Sequence, residues 1–255
     1  KDIKKLIRSL FIPEEGKKWG AFDYSQQEPR MVVHYAFNDN LDVFKIISGY
    51  RQGDADFHQM VADIAQISRD QAKTINLGMM YGMGKGKLMN ELGIEASEAE
   101  DIIAAYQDKV PFVKQLTYNV MDTAADRGEI RTILNRKCRF PFFEPAKFGK
   151  KGFYRTEEEA LAAEGKKYNY KRANTYKALN KLIQGSAADQ TKKAMVDLYE
   201  QDGIIPHIQV HDELNISVEN EEEALNIKHK MENCVDLNLP SVVDHALADN
   251  WGDAK

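Results

Sequence analysis

Short apolar runs that end in carboxylates are the most informative pattern along this chain. Trp19-Gly20-Ala21-Phe22 leads into Asp23, and Ile204 to Val210 leads into Asp212 and Glu213. Ile216 and Val218 then alternate with polar neighbours. Period-two alternation predicts strands, and the acids of the second run mark a hairpin turn. A single run of this kind is explained by an ordinary acidic turn. Two of them can set carboxylates at adjoining strand ends of one sheet, a donor set suited to Mg²⁺.

Elsewhere the pattern is mostly helical. Pro13 stops an apolar and basic segment over residues 3–12. Glu28 to Tyr35 reads as a helix, with Pro29 tolerated in its first turn. Residues 41–68 carry mixed helical segments around a polar loop at 51–56, and His58 opens the helix that follows. Ser68 is the expected N-cap of a helix over 69–81. Arg69, Lys73, Leu77 and Tyr81 fall four residues apart along it and drift slowly round one face. Two cations followed by an apolar residue and a tyrosine suit a nucleotide laid end to end, phosphates first. The bland alternative is a solvated basic turn with a buried tail. The glycine-rich stretch 82–87 lacks the spacing of a phosphate loop and reads as a helix terminator. Residues 97–127 read as one helix capped by Ser97, and 172–201 as a long helix carrying Asn180, Gln184 and Asp189. Between them, Ile130 to Phe140 is β-prone and basic, and 141–170 is irregular apart from a short acidic helix at 157–163. A helix over 221–235 and an edge strand at Val242–His245 complete the expected elements.

With 255 residues, of which 43% are hydrophobic and 29% charged, the chain has enough material for a substantial core. No apolar run approaches the ~20 residues of a membrane span. No apolar signal core follows the basic start, so the expectation is a cytoplasmic protein without a membrane partner. Cys138 and Cys234 lack metal-ligand spacing and read as reduced, structural residues. The net charge of -5 argues against a nucleic-acid partner until its distribution is considered. Residues 136–172 hold eleven Lys and Arg against five acids, a net of +6, which leaves -11 on the rest. Such a segment is either a solvated insertion or a contact for phosphates.

Three stretches then stand in order: DYSQQEPR at 23–30, RDQAKTINLGMMYG at 69–82 and VHDEL at 210–214. Together they resemble the three polymerase motifs of the family A DNA polymerases, the relatives of bacterial DNA polymerase I and of phage replicases. Residues 7–13, the stretch LIQGSAAD at 182–189 and the closing Asn250-Trp251 agree with that family. The resemblance implies an α+β right-hand fold. The palm, an antiparallel sheet with helices, comprises 1–35 and 171–255, and mainly helical fingers span 36–170, with the basic insertion at about 141–170. It implies two Mg²⁺ ions held by Asp23, Asp212 and the carbonyl of Tyr24, with Glu213 as a supporting acid. Arg69, Lys73 and His58 bind the triphosphate of a dNTP, and Lys73 protonates the departing pyrophosphate. Tyr81 stacks beside the templating position, Leu77 touches the sugar, and Gln26 and Glu28 bind the incoming nucleotide, Glu28 as a gate beside C2′. Asn180, Gln184, His211 and Arg30 contact primer–template DNA.

Departures from the family pattern are informative too. Leu77 replaces the usual Phe or Tyr and favours a phage-like source. Tyr176 and Lys177 stand where bacterial members carry an arginine-bearing helix. No thumb or 3′–5′ exonuclease stretch precedes residue 1, so the expectation is a fragment or one subunit of a split polymerase, with a separate thumb or exonuclease chain as partner. A two-metal nuclease is the competing enzyme class. The cationic helix at 69–81 argues against it, because hydrolysis needs no triphosphate grip.

If the basic segment contacts phosphates, affinity for primer–template should fall steeply with salt. Neutralising Lys147, Lys150 and Lys151 should flatten that dependence in a titration across ionic strengths, and an unchanged slope returns the segment to a solvated insertion.

Overall fold

The computed structural model of the chain describes residues 2–53, 56–146, 152–165 and 169–254. Lys147, Lys150 and Lys151 of the basic segment lie outside the described residues. In chain order the elements are helix α1 (Asp2–Arg8), strand β1 (Lys18–Tyr24), and helices α2 (Gln27–Asn38), α3 (Phe44–Gln52), α4 (Phe57–Ala65) and α5 (Arg69–Met80). Helices α6 (Lys85–Leu92), α7 (Ala96–Lys109) and α8 (Pro111–Arg127) follow, then strands β2 (Glu129–Arg131), β3 (Lys137–Arg139) and β4 (Phe143–Pro145). Helix α9 (Glu157–Glu164), strand β5 (Tyr170–Arg172), helix α10 (Ala178–Asp202), strands β6 (Ile208–Val210) and β7 (Glu213–Val218), helix α11 (Glu221–Asn233) and strand β8 (Val243–Ala248) complete the series. The fold is α+β with antiparallel sheets. Among the described residues no helix is long and apolar enough to cross a membrane.

The chain forms two compact units, one of residues 1–34 with 184–255 and the other of 35–183. The first is built on a four-stranded sheet in the order β6-β7-β1-β8, so β1 lies inside the sheet and β8 is the edge strand that the sequence predicts. Alternation along β1 separates two faces. Phe22 and Tyr24 join Leu214, Ile216, Val218 and Val243 under Ala194 and Leu198 of α10 and Ala224, Ile227 and Met231 of α11. Trp19 and Ala21 lie on the other face with Trp251 and Ala254.

Burying these side chains supplies the driving force, at roughly 1.5–3 kcal/mol for each large apolar one.

The second unit is mainly helical. Helix α4 packs on α5, α6 on α7, and α7 on α8. Tyr50 stacks on Phe57 at 6.1 Å, and Phe57 meets Phe112 edge-on at 6.4 Å, which joins α3, α4 and α8. The Ser68 cap forms as expected, and Gln71 completes it as a capping box. Helix α5 ends at Met80 and Gly82 adopts a φ of 77°, so the glycine-rich stretch does terminate a helix.

Two helices differ from the sequence reading. The single helix expected over 97–127 is two, because Pro111 has no N–H to continue α7 and drives Val110 out of the helical region (φ -134°, ψ 59°). Pro111 instead takes the first position of α8, and α7 starts at Ala96, so Ser97 is not its cap. The helix expected from Arg172 begins only at Ala178. Arg172 is held in β5 opposite Phe143, and its guanidinium donates to the carbonyls of Ala125 and Phe140 at 2.9 and 3.2 Å. Asn174, at φ 62°, and a 3₁₀ turn at Thr175–Lys177 intervene.

Candidate active site

The register of the first unit's sheet sets acids side by side. Asp23, next to last in β1, lies opposite Glu213 on β7 and opposite Asp244 on β8. Directly opposed residues have Cβ atoms about 4.5–5.5 Å apart, so the three form one row across the sheet. The hairpin turn between β6 and β7 is His211-Asp212, and the Tyr24 N–H donates to the Asp212 carbonyl at 3.4 Å. That bond ties the turn to the end of β1 and brings Asp23, Tyr24 and Asp212 together. Both aspartates are partly exposed, whereas Glu213 is 5% exposed. His211 is exposed and sits at φ 56°, a region a non-glycine residue enters at some cost.

Buried donors fix Glu213. Its Oε1 accepts from the Trp251 indole at 2.9 Å and from Asn215 Nδ2 at 2.7 Å, while Asn215 Oδ1 accepts from the Trp19 indole at 2.8 Å. Neither Asn215 nor Asp244 is foreseen by the sequence reading. The signal for both was available, since each is a polar residue at an in-register position of an alternating strand. The Tyr24 side chain points to the opposite face, where its hydroxyl donates to the Met231 carbonyl at 2.7 Å and burial raises its pKa. Its main chain is therefore what faces the aspartates. Among the described residues no three His, Cys, Asp or Glu side chains form a complete metal-binding cluster. Two carboxylates and a peptide carbonyl nonetheless match the hard oxygen donors that Mg²⁺ takes alongside substrate phosphates and water.

The segment after β1 is braced from below. Gln26 has φ 52° and Glu28 stands in the first turn of α2, partly exposed. Gln27 Nε2 donates to the Ala187 carbonyl, Gln190 Oε1 and Thr191 Oγ1 at 3.1–3.2 Å, locking α2 to α10 within this unit. Arg30, expected on DNA, is 6% exposed, with Nε donating to the Ser25 carbonyl at 2.8 Å and Nη1 to Pro240 at 2.6 Å. Its guanidinium is a strut under the turn that follows Asp23. Gln184 is exposed on α10 in this unit.

The second unit carries the cationic helix. Lys73 on α5 is exposed, Leu77 is partly buried, and Tyr81 is partly buried just past the helix end. Asn180, on the part of α10 in this unit, is partly buried. Arg69 pairs with Asp56, Nε and Nη2 lying 2.9 and 2.8 Å from Oδ2. Asp56 also caps α4, its Oδ1 accepting from the His58 and Gln59 N–H groups at 2.9 and 3.1 Å. Burial pushes its carboxyl up, but the Arg69 hydrogen bond, the two N–H groups and the Arg69 charge outweigh burial and hold it low. The sequence reading treats Asp56 only as part of a polar loop. His58, expected on the triphosphate, is 4% exposed. Its Nδ1 lies 3.1 Å from Asn76 Nδ2, and Asn76 Oδ1 accepts from the Tyr106 hydroxyl at 3.5 Å. The ring therefore belongs to the packing of α4 on α5, and it is Asp56 beside it that reaches Arg69.

Residues 1–253 match the sequence profile of DNA polymerase family A. The chain belongs to this family. A DNA-directed DNA polymerase of Pseudomonas phage M6 is 36% identical over 98% of this chain, and DNA polymerase I of Bacillus caldotenax is 34% identical over 98%. Among solved structures, the POL domain of Pol1 from M. smegmatis, in complex with DNA primer-template and dNTP, superposes with a TM-score of 0.77 at 25% identity over 100% of this chain. This family A chain spans 40% of the phage relative, 28% of the Bacillus one and 43% of the solved Pol1 chain.

Two buried histidines give the family A chain a pH dependence. Burial lowers the pKa of His34, whose Nδ1 accepts from the Asn238 N–H at 3.2 Å. Burial likewise lowers that of His58; Asp56 opposes the shift, and the charges of Arg69 and Lys73 assist it. The unfolded chain takes up these protons near the ordinary value of about 6.5, the folded chain only at lower pH. Their contribution to stability is thus complete above that value and lost as pH falls through the folded pKa. Melting temperature should drop between pH 7 and pH 5, and the double variant His34→Gln/His58→Gln should show a shallower drop in thermal melts.

Proposed function

We propose that the chain performs template-directed DNA synthesis, adding dNTPs to a primer 3′-hydroxyl by two-metal phosphoryl transfer. The observation that carries this reading is the Tyr24–Asp212 backbone bond, which sets a strand-end acid beside a hairpin-turn acid. Unit one, residues 1–34 with 184–255, corresponds to the palm in this proposal, and unit two, residues 35–183, to the fingers. The M. smegmatis relative in complex with primer-template and dNTP supports DNA and dNTP as partners here.

Asp23 and Asp212, with the Tyr24 carbonyl, would hold two Mg²⁺ ions. When bound, such ions activate the attacking hydroxyl and neutralise charge on the leaving phosphates. Glu213, fixed by Trp251 and Asn215, keeps negative potential behind the pair and holds the start of β7 in register. In the second unit, the exposed ammonium of Lys73 is free to meet phosphate oxygens and to give a proton to the departing pyrophosphate, since phosphoryl transfer rests on positioning and charge neutralisation. Arg69 exchanges Asp56 for the triphosphate, a competition between two anions for one planar fork. Leu77 and Tyr81 take the sugar and the base. Asn180, Gln184 and His211 line the DNA near the primer end, and Gln26 and Glu28 flank the incoming sugar.

A second reading is that this palm–fingers module works only with a partner that carries the remaining parts of a polymerase, the thumb among them. Helix α1 favours it. Its basic side is docked, Lys5 pairing with Asp253 at 2.9 Å and Arg8 lying 4.9 Å over Trp251. Ile3, Leu6 and Ile7 of the helix and Leu10 just past its end are left 56–75% exposed, an apolar patch of the kind that marks a covered surface.

Primer extension, with and without an added thumb-bearing fragment, tests the assignment. Asp23→Ala and Asp212→Ala should each lower nucleotide addition by at least about a hundredfold, the scale of losing a charge-stabilising group, while DNA binding survives. Extension near the wild-type level in either variant refutes the two-metal site.

Sugar choice is the finer test. As a gate beside C2′, Glu28 excludes a ribose by collision, and Glu28→Ala should raise ribonucleotide incorporation by orders of magnitude. As a mere helix-start acid it contributes about 0.3–1 kcal/mol of stability, and the same substitution should only lower the melting temperature slightly. Single-nucleotide incorporation of dCTP and CTP on one template separates the two.

A further inference from the structure

The hairpin turn that carries Asp212 is held at both of its carbonyls. Strand β6 ends at Val210 and β7 begins at Glu213, and the two are paired, so the loop is His211-Asp212 alone. His211 has φ 56°, while Asp212 stays out of the positive-φ region. A two-residue hairpin loop with positive φ at its first residue only is of the type II′ kind, which ordinarily sets glycine there. A residue with a side chain persists in such a conformation where its surroundings hold it. Two donors do so here. Gln209 Nε2 donates to the His211 carbonyl at 3.1 Å, and the Tyr24 N–H donates to the Asp212 carbonyl at 3.4 Å.

Those carbonyls belong to the two peptides that flank the Asp212 Cα. Each peptide is planar, so a residue has only two soft backbone dihedrals. Fixing both flanking planes therefore fixes φ and ψ of Asp212, and with them the direction of its Cα–Cβ bond. Gln209 lies opposite Leu214, and Val210 opposite Glu213. Strand side chains alternate between faces. Gln209 thus starts from the face of Phe22 and Leu214, and the acids Asp23 and Glu213 stand on the other. Its amide acts on the main chain of the turn from behind the carboxylates. We propose that Gln209 is a positioning residue for Asp212. Its amide holds the strained turn so that the Asp212 carboxylate stays beside Asp23 and the Tyr24 carbonyl. A role in metal binding rests on the two-metal reading; there, loss of the brace leaves the donor set unchanged in chemistry but loose in geometry. Groups that orient a metal's ligands typically change its affinity by about ten- to a hundredfold.

The test compares the 255-residue chain with Gln209→Met, which keeps the length of the side chain and removes the donor. Exchange of the Tyr24 amide is followed by NMR. Mn²⁺ binding is followed by electron paramagnetic resonance, with Asp212→Ala marking the ions that belong to this site. In Gln209→Met the Tyr24 amide should exchange about two- to tenfold faster, the scale of one lost hydrogen bond. Mn²⁺ at the Asp212 site should bind about tenfold more weakly or worse. Primer extension should need correspondingly more Mg²⁺ to reach half its maximal rate, with KM for dNTP unchanged. Amides elsewhere in β1 and β7, and the melting temperature, should keep their wild-type values. An unchanged Tyr24 amide overturns the proposal, as does unchanged Mn²⁺ affinity at a site that Asp212→Ala abolishes. Faster exchange throughout β1 and β7 with a lower melting temperature overturns it too, making Gln209 a general stabiliser of the sheet. A wild type whose Mn²⁺ binding is untouched by Asp212→Ala refutes the two-metal reading, while a selectively faster Tyr24 amide in Gln209→Met still supports the brace.

Discussion

A carboxylate buried at 5% exposure organises the first unit. Taking a charged or polar group out of water is costly unless it is hydrogen-bonded. Glu213 meets that requirement with one distant donor, Trp251, and one local donor, Asn215 two residues along its own strand. The first of these bonds pins the C-terminal turn to β7. The Trp251 ring in turn stacks on Trp19 at 6.4 Å and takes Phe11 against its edge at 5.6 Å, while its backbone N–H donates to the Phe11 carbonyl at 3.0 Å. Chain start, central strand, hairpin and chain end are thereby joined through one acid. The aspartate beside it in sequence is held in place as a by-product.

The second unit solves a related problem with one residue. Asp56 caps α4 with one oxygen and pairs with Arg69 of α5 with the other. The guanidinium is thus held in one orientation, which in the proposed function would reduce the side-chain entropy lost on meeting phosphate. Exchange of partners also means that the helix cap and the cation are linked, so a change at either is felt at the other.

Much of the fold was legible because period and punctuation are local. The alternation through Phe22 and the Ser68 cap needed no long-range knowledge, and that alternation is what singles out Asp23 and Asp212 as candidates. The break at Pro111 was legible in principle, since the proline's missing N–H is a local fact. The late start of α10 was not, because Arg172 is held by Phe143, Ala125 and Phe140, all at least twenty residues away in sequence. Partner choice was the least legible property of the site. Arg30, His58 and Arg69 look alike as candidate anion ligands, and only the fold reveals that the first two are buried and the third is already paired.

The small sheet of β4 and β5 has a consequence for how the chain tolerates change. The Ala146 N–H donates to the Asn169 carbonyl at 2.7 Å just beyond the last β4–β5 pair, Pro145 with Tyr170. The two positions that flank residues 147–168 therefore meet at one point, and within that stretch Tyr154 bonds Phe143 and the Ala160 carbonyl accepts from the Tyr170 hydroxyl. Lengthening a loop with closed ends costs only about 0.6 kcal/mol per doubling. The crossing therefore accepts added residues more readily than it gives up its own, since removing the stretch would take away Tyr154, whose backbone bonds hold the outer side of β4.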